Sequence, residues 1–259
     1  MTPIIFDIET GSLPIDTLKS ILPPFDPSSL GPAPGDFDPS SVKLGNIKDP
    51  SKIEAKIKEA ETKHRDAAEK YASDLEKAEP AYWAGTLDRA ALSAITGEVL
   101  AIGYSGQVDK IQAVGGDKTE AMLLAGFWEQ YAKARKVNRK LMGWNIKGFD
   151  VPFLVQRSYI AGVPVPSTLL DPRGYLDQTF VDLSEIWRAG VRSWPEKGLG
   201  QLSTVAKALG LPGKADGLTG ADFARLFRSD DPAEQQQAIA YLLGDLSITR
   251  AIAERIGAA

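Results

Sequence analysis

The chain has 259 residues, 43% hydrophobic and 25% charged, the balance of a folded globular protein, and no stretch approaches the ~20 consecutive apolar residues of a membrane span. It contains no cysteine and one histidine, His64, which excludes disulfides, thiolate zinc sites, cysteine nucleophiles and multi-histidine metal centres. A net charge of −4 excludes a polycation made to coat nucleic acid and leaves carboxylates, hydroxyls and hard metal ions as the available chemistry. The first residues lack the basic and apolar regions of a signal peptide, so the expected location is the cytoplasm, with no membrane contact.

Residues 4–8 form an apolar, β-branched run, the pattern of a buried central strand. Residues 11–50 are crowded with Pro, Gly, Ser and Asp and read as loop. A helix is predicted from about Pro50, capped by Asp49 or Ser51, to about Ala78, with Pro80 as its stop. It carries a narrow small or apolar stripe (Ile53, Ile57, Ala60, Ala67, Tyr71, Ala78) that has to dock on this domain or on a partner. Its other faces are salt-bridge-laced, with nine Lys/Arg and nine Asp/Glu between Lys43 and Glu79. Strands follow at 98–104 and 108–114, a hairpin pair, then a helix at 118–134, a strand at 140–144, and a helix at 150–161 with Pro152 in its first turn. A fifth strand at 179–183 precedes helices at 199–209, 220–227 and 232–255. A strand meander followed by alternating helices and strands implies an α/β fold, a mixed sheet flanked by helices.

Three constellations could carry chemistry. In Ile4-Ile5-Phe6-Asp7-Ile8-Glu9-Thr10 the period of two puts Asp7 and Glu9 on one strand face, where two carboxylates repel and call for a divalent cation. In Gly143-Trp144-Asn145-Ile146-Lys147-Gly148-Phe149-Asp150 a strand ends in Asn145 and a helix begins at Asp150. In Tyr241-Leu242-Leu243-Gly244-Asp245 a phenol and a carboxylate lie one helical turn apart on the same face. Each alone also has a bland reading: an acidic strand end in water, an Asp N-cap, and an amphipathic helix with a solvated Asp.

Taken in order, D-x-E, N-x-x-x-F-D and Y-x-x-x-D resemble the three motifs of the DEDD-type 3′–5′ exonuclease superfamily in its tyrosine (DEDDy) subclass, on a ribonuclease H-like fold. The chain looks closest to the predicted exonucleases related to the proofreading domain of family-B DNA polymerases, and the segment 199–214 is similar to the one that precedes their third motif. The resemblance covers residues 1–10 and about 95–259. It implies a single domain over 1–259 with an inserted arm at 11–90, which the family does not need. It further implies that Asp7, Glu9, Asp150 and Asp245 ligate two Mg²⁺ or Mn²⁺ ions and that Tyr241 orients the attacking water. Thr10, Asn145, Lys147 and Phe149 would contact substrate.

The expected activity is hydrolysis of single-stranded nucleic acid from its 3′ end to nucleoside 5′-monophosphates, DNA favoured over RNA on resemblance alone. The alternatives are a 3′-end-trimming ribonuclease or oligoribonuclease, and an inactive nucleic-acid- or partner-binding module of the same fold. A role in DNA repair or proofreading would call for a separate polymerase or repair protein, reached through the arm. Between Lys133 and Arg157 seven basic residues face Asp150 alone, a run that could track a strand's phosphates. The turn Gly210-Leu211-Pro212-Gly213-Lys214 lacks P-loop spacing and reads as a helix stop.

Overall fold

A computed structural model of the protein describes residues 2–171, 177–192, 196, 198–213 and 217–259. The chain divides into two compact units, Met1–Leu13 with Asp88–Ala259, and Pro14–Leu87. Among the described residues no helix is long and apolar enough to cross a membrane.

The larger unit is built on a five-stranded mixed sheet. In chain order the strands are β1 (Ile4–Ser12), β2 (Gly97–Ser105), β3 (Lys110–Ala113), β4 (Leu141–Gly143) and β5 (Phe180–Asp182). Their spatial order is β3-β2-β1-β4-β5, with β1 central, antiparallel to β2 and parallel to β4. β1 is buried on both faces, which is why its sequence begins as an unbroken apolar run. Phe6 and Ile8 enter a core made with Leu123, Leu124 and Phe127 of α3 (Glu120–Lys136) and Val151, Phe153 and Leu154 of α4 (Asp150–Ala161). On the opposite face Ile5 packs with Phe223 and Leu226 of α7 (Gly220–Phe227) and with Leu242 and Leu246 of α8 (Pro232–Arg255). Two shorter helices, α5 (Leu183–Arg188) and α6 (Leu202–Ala208), lie between β5 and α7 in the chain.

Asp231 starts α8 by accepting the Ala233 N–H at 2.9 Å, with Pro232 in the first turn. How closely this helix approaches the sheet is set by a glycine. Gly103 of β2 stands opposite Asp7, and a Cβ there would lie 2.7 Å from Leu246 Cδ1 and 3.1 Å from Leu242 Cγ. Its bare backbone lets the Leu242–Leu246 turn settle directly beside β1.

Between residues 11 and 90 the chain departs from the sequence expectation in two places. Residues 11–50 are not all loop: β1 continues to Ser12, and α1 (Ile15–Ile21) follows at once. The helix α2 (Pro50–Ala90) does not stop at Pro80 but contains it. An interior proline costs about 3 kcal/mol. The turns beyond it carry aromatic contacts, with Tyr82 against Phe25 at 5.9 Å and Lys19 over the buried Trp83 ring at 5.7 Å. Asp-Pro-Ser begins both 3-10 turns (Pro27–Leu30, Pro39–Ser41) and α2, and Asp26, Asp38 and Asp49 each accept the backbone N–H of the Ser two residues on.

Gly103→Val is expected to lower the unfolding free energy by about 1–3 kcal/mol through overpacking against Leu242 and Leu246. Urea denaturation measures it, and a variant as stable as the parent would show that the helix is not seated by this contact.

Candidate active site

Asp7 and Glu9 share a face of β1 because side chains two apart on a strand point the same way, and that face looks toward α8. α8 returns Tyr241 and Asp245 to the same place, one turn apart. One carboxylate oxygen from each of Asp7, Glu9 and Asp245 lies within 4.8 Å of the others. Glu9 and Asp245 are only 7% and 6% exposed. The β1–β2 register slips between Glu9 and Thr10, which pair with Ala101 and Val99, so a bulge bends the ladder beside the acidic pair.

Asp150 arrives by another route. β4 ends at Gly143, where a Cβ would fall 2.4 Å from Ile146 Cγ2 and 2.6 Å from the Phe6 carbonyl, so the chain can turn sharply against β1. Asn145 takes a left-handed conformation (φ 59°) in that turn. α4 then begins at Asp150, which does not cap it. Its carboxylate instead accepts the Ile8 N–H at 3.2 Å, filling the place that β4 leaves empty beyond Ile5. Asp150 also shares a hydrogen bond with Asp7, which ties it to the acidic group. Burial pushes its pKa up to about 7, helped by the nearby Asp182 carboxylate and opposed by the Ile8 N–H.

Asp182, at the end of β5, was not a candidate from sequence. It accepts the backbone N–H of Asn145 and of Lys147, each at 2.9 Å, and also the Ser184 N–H at 2.9 Å and hydroxyl at 2.7 Å. One buried carboxylate thus clamps the second motif's turn and caps α5. The string Asp182-Leu183-Ser184 could have been read as a helix cap, but its reach to Asn145 exists only in the folded chain.

Tyr241 is half-buried against Phe223, with ring centroids 6.5 Å apart. Burial raises its phenol far above the ordinary value, and Asp245, Glu9 and Asp7 raise it further, so the group is a neutral hydroxyl at any physiological pH. Asp7, Asp150, Tyr241 and Asp245 open onto a cleft of about 640 Å³.

Of the residues predicted to touch substrate, Asn145 and Phe149 line this cleft. Phe149 leans on Phe153 at 5.4 Å. Thr10 is engaged elsewhere, its hydroxyl donating to the Ala91 carbonyl at 2.7 Å, and Lys147 pairs with Glu185 at 2.8 Å. The basic run is likewise largely consumed by partners. Arg157 is buried against Glu120 at 2.6 Å and the Ala94 carbonyl at 2.9 Å. Arg135 meets Asp177, Lys133 meets Glu129, and Arg139 and Lys140 donate to the Thr2 and Gln178 carbonyls. Lys214 lies outside the described residues.

A family profile described as a predicted 3′–5′ exonuclease related to the exonuclease domain of PolB matches residues 89–241, and the chain belongs to that family. The match begins just after the smaller unit, so β1 stands apart from it in sequence and joins it only in the sheet. Among solved structures the chain is similar to the family B DNA polymerase of the hyperthermophilic archaeon Pyrobaculum calidifontis, with a TM-score of 0.50 and 22% identity. That similarity covers 65% of this chain and 23% of the polymerase, and it shows the fold: a mixed five-stranded sheet flanked by helices, ribonuclease H-like. No curated protein matches the chain.

The Asp150 pKa of about 7 makes the folded, metal-free protein hold a proton that the unfolded chain releases near pH 4. Stability conferred by that proton is full below the unfolded value and falls as pH rises toward 7. Between pH 5 and 7, in chelator, the parent is expected to lose about 2 kcal/mol more unfolding free energy than Asp150→Asn, measured by denaturant titration. Parallel pH profiles for the two proteins would contradict the burial argument.

Proposed function

We propose that this protein is a metal-dependent 3′–5′ exonuclease that shortens single-stranded nucleic acid, DNA favoured, to nucleoside 5′-monophosphates. The observation that carries the reading is the gathering of Asp7, Glu9 and Asp245 within 4.8 Å, with Glu9 and Asp245 buried and Asp7 opening onto the cleft. Carboxylates held that close repel one another, and a bound cation offsets the repulsion. An all-oxygen set suits a hard divalent ion, Mg²⁺ or Mn²⁺.

Asp7, Glu9, Asp150 and Asp245 are the residues that would hold two such ions. Bound there, they would acidify a water and stabilise the leaving 3′-oxygen of an in-line displacement. Asp150 would serve there as a carboxylate, since a neighbouring cation would oppose the burial that raises its pKa. Tyr241, locked as a neutral phenol, cannot act as a base; its hydroxyl orients the attacking water within the cleft. Asn145 and Phe149 line the same cleft from the second motif and are placed to meet the terminal nucleotide. Membership of a family of predicted 3′–5′ exonucleases supports the reading.

The test is incubation of 5′-labelled single-stranded DNA and RNA with the protein and Mn²⁺. A ladder shortening from the 3′ end is expected, abolished by chelator. Asp7→Ala or Asp245→Ala should lower the rate at least about a hundredfold while Tm holds or rises, since a repelling charge is removed. Tyr241→Phe should lower kcat about tenfold with Mn²⁺ affinity retained. Full activity in either carboxylate variant would refute the assignment. Mn²⁺ binding without nucleotide release would favour a binding module.

A further inference from the structure

The cleft that holds the carboxylates is hostile to a polyanion. Asp7, Asp150 and Asp245 line it, and no basic residue of the run 133–157 is among its lining residues. Among the described residues a single cation lines the cleft, Arg188. It is exposed and has no hydrogen-bond or ion-pair partner among the described residues. Of the other arginines in this unit, Arg157, Arg225, Arg228 and Arg250 lie within salt-bridge distance of Glu120, Glu234, Glu98 and Asp109. Arg89, Arg192 and Arg255, like Arg188, have no such partner among the described residues but do not line the cleft.

The position of Arg188 is not arbitrary. It ends α5, and Ser184, four residues earlier on the same helix face, lines the cleft as well. α5 is started by Asp182, whose carboxylate also holds the Asn145–Lys147 turn that precedes Asp150. Arg188 therefore stands about 6 Å along the helix from Ser184, on an element pinned to the turn that precedes Asp150.

We infer that Arg188 binds a backbone phosphate of the substrate strand, one next to the phosphate being cleaved. The inference deepens the nuclease reading and rests on it for the identity of the ligand. A guanidinium suits the task because it pairs with phosphate oxygens in a bidentate fork and stays charged at every working pH. Lys147, the cation expected from sequence at this turn, pairs with Glu185.

The test compares parent, Arg188→Ala, Arg188→Lys and, as a control of equal charge loss away from the cleft, Arg255→Ala. Fluorescence anisotropy with a 5′-fluorescein oligothymidylate in Ca²⁺ reads binding, and turnover in Mn²⁺ reads kcat and KM. Arg188→Ala should raise Kd and KM about tenfold or more while kcat stays within about threefold. The slope of log affinity against log salt should fall by about 0.7, one phosphate contact on a single strand. Arg188→Lys should recover part of the affinity, and Arg255→Ala should bind as the parent does. Unchanged Kd in Arg188→Ala, equal weakening in Arg255→Ala, or no binding by the parent would each overturn the inference. If the parent binds the oligomer without releasing nucleotides, hydrolysis is refuted while the Kd ratio still decides the role of Arg188.

Discussion

The constraint on which this molecule turns is the close approach of like charges in a place with little water. Three carboxylates that would separate in solution are held together because apolar packing surrounds them. Ile5 on β1 and Leu242 and Leu246 on α8 bury against one another, and the acids between them have no freedom to part. Such an arrangement opposes folding unless something positive offsets the repulsion, and stability spent in this way is the signature of a site rather than of a scaffold.

The fold supplies that geometry from distant pieces of chain. β1 and its two acids precede an inserted unit of 74 residues, Pro14–Leu87, and rejoin the family-matching segment only as the central strand. Glycines at two points remove the obstacles: Gly103 admits α8 to the sheet, and Gly143 lets the second motif turn beneath Phe6. The Ile8 N–H, left without a strand partner where β4 stops, is satisfied by Asp150, so one hydrogen bond both completes the backbone and brings the fourth acid to Asp7. Asp182 does the same for the turn itself. Asp182, which accepts four hydrogen bonds, thus stands close to Asp150, which with Asp7 and Asp245 lines the cleft.

Much of this was legible in the amino-acid order because it follows local periodicity. The runs 220–227 and 232–255 appear as helices with those bounds, and the apolar opening of β1 announced its central position. What escaped the sequence depended on tertiary contact. α2 runs through Pro80, and the aromatic rings farther along it have partners that no window of sequence contains. Thr10 and Lys147 carry groups that could meet a substrate, yet the fold commits them to Ala91 and Glu185. Basic residues grouped along 133–157 scatter to separate partners once helix and strand point them apart, and the cation left at the cleft comes from α5.

In the proposed function, α8 docked on β1 completes an oxygen-ligand site for a divalent cation. Titration of the metal-free protein with Mn²⁺, followed by loss of the free-ion electron paramagnetic resonance signal, tests it without reference to turnover. Saturable binding by the parent at neutral pH is expected, with its loss in Asp245→Asn, a variant that keeps the shape of the helix and removes one charge. Binding that persists undiminished in that variant, or a parent that takes up no Mn²⁺ at all, would contradict it.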